Sequence, residues 1–329
     1  MGSGGTCNNG SGDQIMTQNT YAEIVEWIRG TLLTAEGQKK IHQRRCEAAL
    51  MAKRLGELKA SGWVLKATRR QVGSDRTVFT VHQETLQKAT NGLVVSVELR
   101  GCRVGKLLPP PNGRGYPILK TKQDARELEW GGSEARAYIR ACANMKRPSP
   151  ERDLQGVIVQ ALSTSPKHEL LQNLWPVRPA NCMMEFPAPV DRNGHIGTGN
   201  IDLLARTGRG RWPTFVVCEL KVDRTTPYDA LVQAIHYAAA LDVEVNGITH
   251  ELPPADRSIY RSLFGSNLTA QAPLRFGAMA IIPNGRGVEA ATRKALDNLD
   301  TSNAWLDVML FDPREDEQFR PVLRFRSEG

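Results

Sequence analysis

Apolar positions return at helical spacing through residues 21–60. Tyr21, Ile24, Val25 and Ile28 fall on one face, and Ala48, Ala49, Met51 and Leu55 continue the period, which predicts helix over this stretch. The pattern then shortens. Trp63 to Ala67, Val78 to Val81 and Leu93 to Val97 are brief runs rich in β-branched or aromatic residues and read as strands. Pro109-Pro-Pro-Asn-Gly-Arg-Gly115 reads as a loop, because proline removes donors and glycine frees the backbone. A helix is predicted over Ser133 to Met145, and Lys146-Arg-Pro-Ser-Pro150 breaks the pattern.

Beyond that break the spacing predicts a helix from Glu151 to about Leu162, started by Ser149-Pro150 with acids beside its positive end. Strands are expected at Met183 to Pro187, Ile201 to Ala205 and Thr214 to Val222, followed by a helix from Tyr228 to Leu241. A strand at Ala278 to Ile282, a helix near Val288 to Leu299, and strands at Leu306 to Phe311 and Val322 to Phe325 complete the series. The chain shows no internal repeat. The expectation is an α/β protein in three parts: a disordered Gly/Ser/Asn-rich leader over residues 1–18, a smaller N-terminal α/β domain over 19–147, and a C-terminal α/β domain with a mixed sheet over 148–329.

Composition changes this picture little. Of 329 residues, 40% are hydrophobic and 24% charged, enough to bury a core without disulfides or a structural metal. The net charge of +8 suits a polyanionic partner, since Lys and Arg displace counterions from phosphates. The six cysteines form no C-x-x-C pair, which argues against a zinc ribbon. Without a signal-peptide core or an apolar run long enough for a bilayer, the expected location is cytoplasmic (nuclear in a eukaryote), with no membrane partner.

Chemistry concentrates in Gly199-Asn-Ile-Asp202-Leu-Leu, Val216-Val-Cys-Glu219-Leu-Lys221 and Gln233-Ala-Ile-His-Tyr237. Strand alternation puts Glu219 and Lys221 on one face and sends Cys218 and Leu220 to the other. Charges on a buried strand are costly unless paired or metal-bound. If the strands carrying Asp202 and Glu219 pair as a hairpin, the two carboxylates meet. A hard divalent cation relieves their repulsion, and Lys221 can orient a water or hold a phosphate.

Asp202 followed by Glu219-x-Lys221 resembles the PD-(D/E)xK phosphodiesterase superfamily, with 219 − 202 = 17 residues between the acids. Glu151 is similar to the acid many members carry on the first core helix. Gln233-x-x-x-Tyr237 is similar to the helix motif that follows the lysine in RecB-like members, and the ordered set resembles NucS-type endonucleases. The likeness covers Glu151 to Leu241 and departs from the name-giving motif at Ile201, which stands where the motif has proline. It implies a restriction-endonuclease-like core, a central mixed sheet flanked by helices. It also implies Asp202 and Glu219 as ligands for Mg²⁺ or Mn²⁺, Lys221 as catalytic lysine, Glu151 as a helper acid, and Gln233 and Tyr237 along the cleft.

Each residue also has a plainer reading. Glu151 can simply complement a helix end, Gln233 can bridge a core hydrogen bond, and Tyr237 can be a core aromatic. His195 reads as an incidental loop histidine, and His236 as lying on another helical face than Tyr237. Glu185 is either an extra acid or a solvent-facing strand residue. Arg69, Arg70, Arg100, Arg103, Lys106 and Arg114 give either a nucleic-acid-binding face or an ordinary solvated surface. The expected function is a metal-dependent nuclease that hydrolyses phosphodiester bonds of DNA rather than RNA. Its N-terminal domain would recruit substrate, a protein partner or a second copy. The alternatives are an inactive protein of the same fold that binds nucleic acid or protein, and a defence or mobile-element effector activated by a partner.

Overall fold

The computed structural model describes residues 20–61, 77–83, 93–99, 102–108, 116–145, 150–164, 171, 174–176, 185–207, 215–223, 225–250, 252–264, 273–299, 304–313 and 320–327. The expected leader, the Trp63 to Ala67 strand, the Pro109 to Gly115 loop, and Arg69, Arg70, Arg100 and Arg114 lie outside these residues.

The first helical stretch is two helices, α1 (Tyr21–Leu33) and α2 (Ala35–Ser61). Thr20 and Glu23 cap α1 reciprocally, through bonds of 3.2 and 3.1 Å. Ile24, Val25, Ile28 and Leu32 are its buried stripe. The break at Thr34 is invisible to the apolar period. Thr34 is extended (ψ 157°), and its hydroxyl oxygen accepts from Gly37 N at 3.1 Å. A Cβ on Gly37 would lie 2.6 Å from the Leu32 backbone, so glycine lets the helices meet.

A five-stranded antiparallel meander follows: β1 (Thr77–Gln83), β2 (Leu93–Leu99), β3 (Cys102–Leu108), β4 (Ile118–Thr121) and β5 (Glu127–Glu129). The last three strands are absent from the sequence expectation because they are short or interleaved with charge. The helix α3 (Ser133–Met145) packs on this sheet, and the Tyr138 hydroxyl donates to Val104 O at 3.0 Å. Arg103 and Lys106 lie on β3, with Arg103 exposed.

The second sheet has six strands. After α4 (Pro150–Thr164) come β6 (Leu174–Pro176), β7 (Phe186–Val190), β8 (Ile196–Ile201), β9 (Leu203–Thr207) and β10 (Phe215–Leu220). Then follow α5 (Pro227–Asn246), α6 (Arg257–Phe264), β11 (Phe276–Pro283), α7 (Val288–Asn298), β12 (Leu306–Phe311) and β13 (Pro321–Arg326). The order is β13-β12-β11-β10-β9-β6, with β10, β11 and β12 parallel and the other neighbours antiparallel. This is the mixed sheet that the sequence predicts, in an α/β protein. Both faces are covered, which is why the central strands read as unbroken apolar runs. Phe215, Val217, Ala278 and Val308 pack toward α5, while Val216, Cys218, Met279 and Met309 pack toward α4. No helix among the described residues is long and apolar enough to cross a membrane.

The expected boundary at residues 147 and 148 does not divide the packing. α1 lies on α5, and α2 lies on α6, β7 and β8. Tyr21 N donates to Leu299 O at 2.7 Å, and Arg45 Nε donates to Glu244 O at 2.8 Å. Ile24, Ile28 and Leu32 share one core with Ala234, Ile235 and Tyr237. The Lys146 to Pro150 break marks a change of element. The apolar stripe of α1 finds its partner in the second half of the chain.

Candidate active site

Asp202 sits at a corner. The expected continuous strand over Ile201 to Ala205 is two strands that end and begin on either side of it. β8 pairs with β7 in a two-stranded ribbon, and β9 joins the main sheet. β9 and β10 form the expected antiparallel pair, with Leu203 opposite Cys218 and Leu204 opposite Val217. That register carries Asp202 to the level of Glu219, and Leu220 N donates to Asp202 Oδ2 at 2.9 Å. From α4, the buried Gln155 donates through Nε2 to the Asp202 carbonyl.

Glu219 lies on the α5 face of β10 and is 1% exposed. Its Oε1 is buried without a hydrogen-bond partner, an uncommon and costly state for a carboxylate oxygen. Lys221 follows directly after β10, and its N–H extends the ladder to Ile281 O at 2.9 Å. Its Nζ lies 3.2 Å from Glu219 Oε2 and 3.5 Å from Glu151 Oε1, in the first turn of α4.

The electrostatics follow from burial. Desolvation raises the Asp202 carboxyl to about 6, with Glu151 adding repulsion, against the Leu220 N–H and the charge of Lys221. Desolvation also raises Glu219 well above the carboxylate range, reinforced by the negative charge of Asp202. The two carboxyls lie close together, and each holds its proton more tightly than a solvated acid does. For Lys221 burial favours the neutral amine, but Glu219, Asp202 and Glu151 outweigh it and its pKa rises.

Above this floor opens a cleft of about 870 Å³. Glu151, Asp202, Glu219, Lys221 and Gln233 line it. Tyr237, the sixth candidate, is not on its wall. Its buried ring lies one turn deeper on α5, against Gly199, where an added Cβ would come within 2.5 Å of the ring. Burial and then Glu219 raise its phenol, while a hydrogen bond from Gln233 opposes them.

Part of the wall lies outside the sequence expectation. His236, expected on another face, lines the same cleft, with Nδ1 3.2 Å from Arg192 O, and burial lowers its pKa. His195 stands on the rim, and Trp27 enters from α1. No local signal marks Trp27, which sits inside an apolar helical stripe. Glu185 is not solvent-facing. Arg152 Nε reaches its Oε1 at 2.9 Å, and Arg152 Nη1 lies 3.6 Å from Glu98 Oε1 on β2. Burial raises the Glu185 carboxyl, with Arg152 opposing.

Among the described residues no group of three or more His, Cys, Asp and Glu side chains is placed to hold a metal ion. The available donors are the Asp202–Glu219 pair, with one Glu219 oxygen uncommitted. Set against protein-family models, curated proteins and solved structures, the chain matches none.

Proposed function

We propose that the cleft hydrolyses phosphodiester bonds of DNA with a divalent metal, and that the six-stranded sheet with its helices is a restriction-endonuclease-like core of PD-(D/E)xK type. The unpartnered, buried Glu219 Oε1 beside Asp202 and Lys221 carries this reading. Two carboxylates forced together in a buried corner, with one oxygen free, suit a hard cation that takes its remaining ligands from water and phosphate. Held by Asp202 and Glu219, Mg²⁺ or Mn²⁺ would supply Lewis-acid stabilisation and a water of lowered pKa.

The chain's own groups have distinct tasks. Asp202 and Glu219 would hold the cation as carboxylates, releasing any proton that their raised pKa values retain. Lys221, its pKa raised, stays an ammonium; it donates to the attacking water or a phosphate oxygen and is not the base. Glu151 tethers Lys221 at 3.5 Å and sets where its charge points. Gln233 offers an amide to the substrate from α5.

The test is cleavage of labelled single-stranded DNA, duplex DNA and RNA by wild type and Glu219→Ala, each with Mg²⁺, Mn²⁺ or EDTA. The expected outcome is metal-dependent cutting of DNA that falls by about 10³-fold or more, over 4 kcal/mol of barrier, in the variant. Equal cutting by both proteins, or none by wild type on any substrate, overturns the proposal.

A further inference from the structure

The cleft has a second wall that the metal chemistry leaves unused. Its centre is Trp27, half-buried in α1. The indole is clamped in place. His195 meets it edge-on at 6.0 Å and 86°, and His236 lies against it at 5.4 Å and 58°. The turn before β8 is shaped around it: Gly194 adopts φ +80°, and a Cβ there would lie 2.1 Å from the indole. The bond between His236 and Arg192 O ties that turn to α5. A rigid aromatic on a polar cleft wall has a binding surface that costs little side-chain entropy to use.

The neighbours define the ligand. Arg192, Asn193 and Asn200 line the same cleft together with Asp223 and Asp229, and Lys221 stands at its floor beside Glu151, Asp202 and Glu219. An aromatic platform with amides, Arg192 and Lys221 around it, above the floor proposed to hold a cation, matches an unpaired nucleotide: base on the ring, base edge to the amides, phosphate at the cation. A duplex offers no such fit, because both faces of each base are already stacked.

We infer that the cleft takes single-stranded DNA, and that Trp27 stacks a base beside the scissile phosphate. This rests on the nuclease reading of the Asp202–Glu219–Lys221 floor.

The probe is a single-stranded DNA oligonucleotide carrying 2-aminopurine, titrated with the full chain while Ca²⁺ replaces Mg²⁺ to suppress cutting. Stacking predicts quenched probe fluorescence with wild type. It also predicts that Trp27→Leu, which keeps apolar bulk, abolishes quenching and weakens binding about 10-fold. Trp27→Phe should keep most of both, and a blunt duplex of the same sequence should bind more weakly than the single strand and be unaffected by either change. Melting curves of the variants report folding, and the wild-type quenching needs no variant. Absent quenching, equal binding by wild type and a folded Trp27→Leu, or preference for duplex overturns the inference. The two proposals fail separately. Trp27-dependent quenching without cutting by wild type would sink the nuclease reading alone. Cutting lost in Glu219→Ala but indifferent to residue 27 would sink the stacking alone.

Discussion

Two acids lie buried in the same sheet and meet opposite fates. Asp307, in Leu306-Asp-Val-Met-Leu-Phe of β12, is fully buried on the α4 face. Arg324 and Arg326 of β13 both bond its carboxylate, Arg326 Nε at 3.3 Å from Oδ1, and both guanidiniums lie 5.6 Å from the Trp305 ring. Burial raises its pKa, and the two arginines oppose this. Glu219 on the opposite face has a second carboxylate for a neighbour, one shared lysine and an oxygen with no partner. Burial alone therefore does not mark function. A buried acid whose charge is answered on both oxygens is architecture, and one whose charge is left over is a candidate for a ligand.

The sharpest way to break this contrast is to remove each acid. Asp307→Ala strands Arg324 and should cost about 3–5 kcal/mol. Glu219→Gln relieves repulsion and should leave stability within about 1 kcal/mol of wild type, or raise it. Urea titrations measure both, and a similar large loss in both variants would erase the distinction.

A pH series separates the sites further. Asp202, raised from 3.8 to about 6, favours the folded state through its bound proton. That contribution is fully present below the unfolded value and is lost as pH rises through about 6. Metal-free Asp202→Asn/Glu219→Gln should thus be more stable than wild type at pH 8, by about 3 kcal/mol from Asp202 with Glu219 adding in the same direction, and the advantage should shrink toward pH 4. An advantage independent of pH would count against a raised Asp202 carboxyl.

Metal should reverse the balance. Mn²⁺ at about 100 times its Kd should stabilise wild type by about 2.7 kcal/mol and leave the double variant unchanged, read as a shift in Tm. An equal shift in both places the ion elsewhere. The smallest expected effect is Tyr237→Phe. The ring sits behind the wall, so loss of its bond with Gln233 should cost about 1 kcal/mol of stability, and cleavage should stay within about 10-fold of wild type. A loss as large as that of Glu219→Ala would put the phenol in the chemistry.

What the sequence made legible were isolated polar residues in strongly periodic elements. Glu219 is the one charged residue among the six buried residues of β10, and β9–β10 pairing follows from two adjacent apolar runs. Asp307 shows the limit, because it looks the same in one dimension and only the arginines across the strand pair reveal its role. The corner at Asp202 was hidden because Ile201 and Leu203 are both apolar, and a change of sheet leaves no trace in that pattern. Trp27 and His236 were hidden because the wall they share is assembled from distant parts of the chain. The place of α1 on α5 is hidden for the same reason, since a helix's period shows that it has a partner and not which one.

The seat of α1 on α5 also has a consequence in time. The stripe of Ile24, Val25, Ile28 and Leu32 leaves the ribosome well before α5, which begins 227 − 33 = 194 residues after α1 ends. At about 5–20 residues per second, the first helix waits roughly 10–40 s for the surface that buries it. During that interval α1 has only α2 of its main native partners, and the part of the stripe that α5 covers stays open to other nascent chains.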